Sequence, residues 1–214
     1  MDQINIIFDN LDDWRHLPAY QLERRADIFF SVYLPSLLES KFEIEIDSII
    51  PEFPIRIGTI DPEKDTNLSN NIDYFAKVKG EKKVIFVELK TDDSSRRDEQ
   101  DLYLERVQEV GLANLLNGLQ SIYKATKSKR KYKFLLDKLM ELDLLTIADD
   151  GKFKPIQEDC SITVVYLQPN NFDEERNVIS FDEVAEIIEQ KNDCLSNRFA
   201  QSLREWARVK AGER

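Results

Sequence analysis

Residues 72–90 read IDYFAKVKGEKKVIFVELK, and the reading of this stretch decides the fold. Ile72, Tyr74, Ala76 and Val78 alternate with Asp73, Phe75 and Lys77, the period of two that sends successive side chains to opposite faces of a strand. Lys79-Gly80-Glu81-Lys82 supplies a turn. Val84 to Lys90 is then almost continuously apolar and β-branched, the composition of a strand in the middle of a sheet. A two-residue turn at Gly80-Glu81 pairs Lys79 with Lys82, and a four-residue turn keeps the same register. Counting outward sets Asp73 opposite Glu88, while Lys90, two residues on, shares the Glu88 face. Opposed Cβ atoms lie about 4.5–5.5 Å apart, so two carboxylates there demand a hard cation or a proton.

Working outward, Leu22, Ala26, Phe29, Tyr33 and Leu37 mark one buried helical stripe between Leu17 and Phe42, with Pro35 expected to kink it or start a second segment. Ile44, Ile46, Ile55 and Ile57 suggest a strand between Phe42 and Asp61, broken by Pro51, Pro54 and Pro62. Beyond Lys90, one long helix is expected over Asp98–Thr126 and a second over Tyr132–Leu144. SITVVYL, Ser161–Leu167, reads as another buried strand, followed by amphipathic helices at Phe181–Gln190 and Cys194–Lys210. The order favours a small mixed sheet flanked by helices.

Composition excludes several chemistries. A single histidine, His16, rules out a histidine-rich metal centre, and there is neither a Gly-x-Ser-x-Gly elbow nor a phosphate-binding glycine loop. Cys160 and Cys194 form no Cys-x-x-Cys pair and are expected to be reduced thiols. No apolar run approaches the roughly 20 residues of a bilayer span, and the acidic start MDQINIIFDNLDDW is unlike a secretory leader; a cytoplasmic protein without a membrane partner is expected. A net charge of −11 argues against a general basic coat for nucleic acid but allows a local groove. Lys124, Lys127, Lys129, Arg130, Lys131 and Lys133 do crowd one stretch. Trp14, Trp206 and the phenylalanines are assigned to core packing.

Asp73 with Glu88-Leu89-Lys90 resembles the signature of the PD-(D/E)xK nuclease superfamily, whose restriction-endonuclease-like fold runs helix, three-stranded meander, helix, strand. Asp73 falls on its second strand, Glu88-Leu89-Lys90 on its third and SITVVYL in fourth place, so the resemblance covers Leu17 to Leu167. Ile72 stands where the family name has proline. Glu-x-Lys also occurs at Glu39-Ser40-Lys41, Glu81-Lys82-Lys83 and Glu189-Gln190-Lys191, so the apolar strand and the opposed aspartate are what single out Glu88.

The resemblance implies an α/β fold with a small mixed central sheet flanked by helices, a helical insert and C-terminal helices. It implies a single domain over residues 1–214, with its core at about 17–170 and a C-terminal helical extension at 171–214. Asp73, Glu88 and Lys90 would be catalytic. Magnesium or manganese would be held by Asp73, Glu88 and a glutamate of the first helix, for which Glu23 in QLERRAD is the candidate and Asp27 the alternative. Lys90 would orient the attacking water. Thr91, Asp92, Ser94 and Ser95 lead to Arg96 and Arg97, which with Lys129 and Arg130 are the expected nucleic-acid contacts. DNA is the expected substrate, with a homodimer or a protein partner helping to grip it; the alternative is a noncatalytic binding or assembly module of the same fold. Repulsion among converging carboxylates further implies that Asp73→Asn or Glu88→Gln should not lower the melting temperature in chelator.

Overall fold

The computed structural model describes residues 2–64, 66–92, 95–157 and 159–208. It is a mixed α/β structure with a five-stranded sheet flanked by helices. Helices α1 (Gln3–Trp14) and α2 (Leu22–Phe42) precede strand β1 (Ile46–Arg56), the short helix α3 (Ile57–Ile60), β2 (Ser69–Val78) and β3 (Lys83–Leu89). Helices α4 (Asp98–Val110), α5 (Leu112–Ala125) and α6 (Lys129–Glu141) follow. Then come β4 (Leu145–Ile147), β5 (Phe153–Pro155), β6 (Ser161–Gln168), β7 (Val178–Ser180), α7 (Phe181–Glu189) and α8 (Cys194–Arg208).

The sheet order is β1-β2-β3-β6-β7, and β4 and β5 make a separate hairpin. β2 and β3 pair antiparallel with Tyr74↔Val87, Phe75↔Phe86, Ala76↔Ile85 and Lys77↔Val84, the register counted from the Gly80-Glu81 turn. β3 and β6 run the same way: the Lys82 carbonyl accepts from Ser161 N (3.0 Å) at one end, and the Leu167 carbonyl accepts from Lys90 N (2.8 Å) at the other. β6 and β7 are also parallel. β3 is buried from Val84 to Leu89, and β2 buries residues of both faces from Tyr74 to Val78, as expected of strands covered on both sides.

The chain forms two compact units and crosses between them four times, before β1, within β3, before α4 and within β6. One comprises residues 46–87 and 98–164. Its aromatic centre is Phe53, Phe75 and Phe86, from three adjacent strands, with ring centroids 4.8 to 5.9 Å apart. The other comprises residues 1–45, 88–97 and 165–214. There Phe199 packs against Phe8, Phe30, Tyr33 and Trp206 at 5.1 to 6.1 Å, joining α1, α2 and α8. Asp12 ties α1 to α8: it accepts from Trp206 Nε1 (2.7 Å) and Arg198 Nη2 (2.7 Å).

Several expectations give way to the structure. β1 is not broken by Pro51 and Pro54 but runs through both, paired with β2 as Pro51↔Tyr74 and Pro54↔Asn71. It is the edge strand, where a residue lacking an N–H leaves no ladder bond unmade on the open side. The long helix over Asp98–Thr126 is instead two, because Gly111 (φ 75) takes a conformation open to glycine and closes one helix while starting the next. The insert is not wholly helical, since it carries the β4-β5 hairpin, and α6 begins at Lys129 rather than Tyr132. α2 starts at Leu22, continues through Pro35 and leaves Leu17 exposed. Trp14 is 44% exposed, with an edge contact to Tyr20, whereas Trp206 is buried as expected. Phe134 and Phe172 are also exposed. Lys210, the expected end of the last helix, lies outside the described residues. Cys160 and Cys194 are both free thiols, and no helix of the described residues is long and apolar enough to cross a membrane.

Close packing in the first unit yields a direct test. A Cβ built on Gly118 of α5 would meet Thr59 Oγ1 at 2.4 Å, so Gly118→Ala forces a helix away from its support. Urea melts are expected to show a loss of about 1–3 kcal/mol despite alanine's better helix propensity.

Candidate functional site

Glu88 and Lys90 stand at the end of β3, where an apolar strand delivers two charges to one face. Both are buried, with side chains 5% and 8% exposed, and Lys90 Nζ donates to Glu88 Oε2 at 3.1 Å. Burial of this kind is costly for either charge alone, and each lowers the cost for the other. The Lys90 backbone is held as firmly, because its N–H continues the pairing onto the Leu167 carbonyl of β6. Two adjacent strands thus fix the lysine.

Asp73 is the residue before Tyr74 on β2, and Glu88 the residue after Val87 on β3; Tyr74 and Val87 are the last partners in the hairpin register. Asp73 is partly exposed where Ile72 and Tyr74 on either side of it are buried.

Beyond Lys90 the chain enters a polar cavity of about 360 Å³. Thr91 and Asp92 line it together with Arg15, from just past α1, and Tyr20, Gln21, Leu22, Glu23 and Arg24 at the start of α2. Glu23, rather than Asp27, therefore faces this space; Asp27 is exposed one turn on, its carboxylate accepting from Ile28 N at 2.6 Å. The cavity mixes two carboxylates with two guanidinium groups, and Arg15 also lies 5.9 Å from the Trp206 ring. Arg15, Tyr20, Gln21 and Arg24 were not expected from the sequence. The signal that could have found Arg15 is the Phe8 and Leu11 stripe of α1, capped by Asp2.

The expected nucleic-acid contacts are variously disposed. Arg96 is bound to Glu175 through both terminal nitrogens (2.7 and 3.0 Å) and stacks 4.2 Å from the Tyr166 ring centroid. Arg97 is exposed. Lys129 turns back on α5, donating to the Tyr123 and Lys124 carbonyls over the Tyr123 ring, so it closes that helix. Arg130 is exposed on α6. Ser95 donates to the Asp92 carbonyl at 2.6 Å, while Ser94 lies outside the described residues.

A second cavity, of about 480 Å³, lies over the start of α7 and the loop after β6. Its Lys41 is bound to Glu183 at 2.6 Å. Burial alone would raise the Glu183 carboxyl, but hydrogen bonds from Lys41 and from the Ser180 main chain outweigh it and hold it below its usual range. That lysine and glutamate are occupied with each other and with the α7 capping box.

Among the described residues no three His, Cys, Asp or Glu side chains gather as a metal-ligand group. The donor chemistry nonetheless suits magnesium, which takes hard carboxylate oxygens and needs only one or two of them, with waters and substrate phosphates completing its shell. The sequence matches no family model, no curated protein and no solved structure.

Proposed function

We propose that the chain is a metal-dependent nuclease of the restriction-endonuclease-like type, hydrolysing DNA phosphodiester bonds with Asp73, Glu88 and Lys90. The observation that carries this reading is the buried Glu88-Lys90 pair at the end of a central strand, followed in the chain by Thr91 and Asp92, which line a polar cavity together with Glu23. The order helix, three-stranded meander, helices, strand and the counted β2-β3 register support it further, since Asp73 and Glu88 are the next residues on the two strands.

Asp73 and Glu88 would hold magnesium or manganese, with waters and substrate phosphates completing its shell, since Glu23 does not gather with them as a third ligand. Bound there, the ion supplies Lewis-acid charge at the scissile phosphate. Glu88 accepts from the Lys90 ammonium at Oε2, which holds the lysine beside the carboxylate in a buried place. Lys90, fixed through its main chain by β6, orients the attacking water and offsets negative charge as it grows on the phosphoryl oxygens. Thr91 offers a hydroxyl donor beside the same cavity, and Arg97 and Arg130 are exposed cations for the phosphate backbone. Hydrolysis of labelled DNA with magnesium, with manganese and with chelator, using wild type beside Glu88→Ala, tests the reading.

A specific observation favours a second reading. Glu88 already has a cation in Lys90, which neutralises it without metal. On that reading the pair is structural and the fold serves as a noncatalytic binding or assembly module. A wild type that cleaves nothing and does not respond to manganese would support the second reading against the first.

A further inference from the structure

Helix α6 buries one side and carries charge on the other. Leu136 and Leu139 are buried, whereas Arg130, Lys131, Phe134 and Lys138 recur at steps of three and four on the opposite face, with Lys127 in line just before the helix. Between Lys124 and Lys138 there are seven Lys or Arg residues and a single acid, Asp137, in a chain of net charge −11. The ion pairs of the described residues include none of Lys127, Arg130, Lys131 or Lys133. Phe134, in the middle of these cations, is 64% exposed, and Lys138 Nζ lies 5.2 Å from its ring centroid. Like charges set this close repel, and a phenylalanine in water forgoes its burial, so the face is less stable alone than with an anionic, aromatic ligand upon it.

We infer that this face of α6 binds single-stranded nucleic acid, with phosphates on Lys127, Arg130 and Lys131 and a base stacked on Phe134. An aromatic ring among cations is what an unpaired strand engages, because its bases offer open π-faces that a duplex keeps stacked inside. An anionic membrane is the poorer fit: insertion requires a broad apolar face, and the leucines of α6 are buried in the protein. As a statement about substrate class the inference rests on the nuclease reading, but binding itself is measurable without cleavage.

The experiment is fluorescence anisotropy of labelled oligothymidylate, and of its duplex with oligoadenylate, in chelator at several salt concentrations. Wild type should bind the single strand more tightly than the duplex. Phe134→Ala should weaken single-strand binding about tenfold and leave the duplex nearly unchanged, and Phe134→Trp should restore it. Arg130→Ala and Lys131→Ala should each flatten the dependence of log affinity on log salt by about 0.7. These positions are exposed, and unchanged melting temperatures would show that the variants fold. Oligothymidylate binding equal in wild type, Phe134→Ala and Lys131→Ala would overturn the inference, as would a preference for duplex or for phosphatidylserine vesicles. Binding with this pattern in a protein that never cleaves DNA removes the nuclease reading and leaves the α6 face standing; metal-dependent cleavage without this pattern does the opposite.

Discussion

Asp73→Ala, Glu88→Ala and Lys90→Ala are each expected to lower metal-dependent DNA cleavage by about 10²–10³-fold or more, the scale of losing one preorganised group that stabilises developing charge. The three groups act on one phosphate, so their losses should be strongly non-additive, and the triple variant should be little worse than the worst single. Lys90→Arg is an informative fourth variant. A guanidinium is larger and planar, and a side chain only 8% exposed beside Glu88 leaves it little room, so it should rescue poorly although it keeps the charge. Gel assays of nicking and linearisation, with each variant purified in parallel, check the result. Equal residual cleavage in wild type and all variants would identify a contaminating enzyme and move the case to the noncatalytic reading.

Glu88→Gln in chelator is expected to destabilise the protein by about 3 kcal/mol, because it leaves the Lys90 ammonium buried without its carboxylate partner. This reverses the expectation drawn from repulsion among carboxylates, because the Lys90 ammonium lies 3.1 Å from the buried Glu88 carboxylate. Replacing both residues, as Glu88→Leu with Lys90→Met, should recover most of that loss, since an apolar pair has no charge to desolvate. Manganese separates the two functional readings. Wild type should gain about 2.7 kcal/mol when the free ion reaches a hundred times its dissociation constant, and Glu88→Gln should gain much less. Thermal melts of wild type and both variants, with chelator and with manganese, measure both effects. A wild type indifferent to manganese, together with a destabilised Glu88→Gln, would leave the pair as a structural element alone.

The hairpin was legible because its information is local. Alternation from Ile72 to Val78, a glycine turn and an apolar run to Leu89 determine the pairing, and Tyr74↔Val87 follows by counting. The final helices were legible for the same reason: Ser180 and Glu183 form a capping box written within four residues, and the apolar stripe behind it marks the buried face of α7. Helix α1 went unassigned, and α3, β4, β5 and β7 escaped because they are short. β7 and the β4-β5 hairpin have three-residue strands, too few for a period to register, and they form where neighbouring chain supplies the ladder.

What the sequence determined by itself about this protein is the set of residues on one strand face, since the pleat alone puts Glu88 with Lys90. Only the tertiary structure decided what surrounds them. Pro51 and Pro54 are tolerated in β1 because that strand has one neighbour, a fact of sheet order. Glu23 rather than Asp27 turns to the cavity because Arg15, Thr91 and Asp92 come together there from distant parts of the chain. Arg96 and Lys129 are held by Glu175 and the end of α5, partners that no spacing of cations reveals. The physical reason is common to all: backbone periodicity is a property of neighbours in sequence, whereas burial and charge pairing depend on groups brought together only when the chain closes on itself.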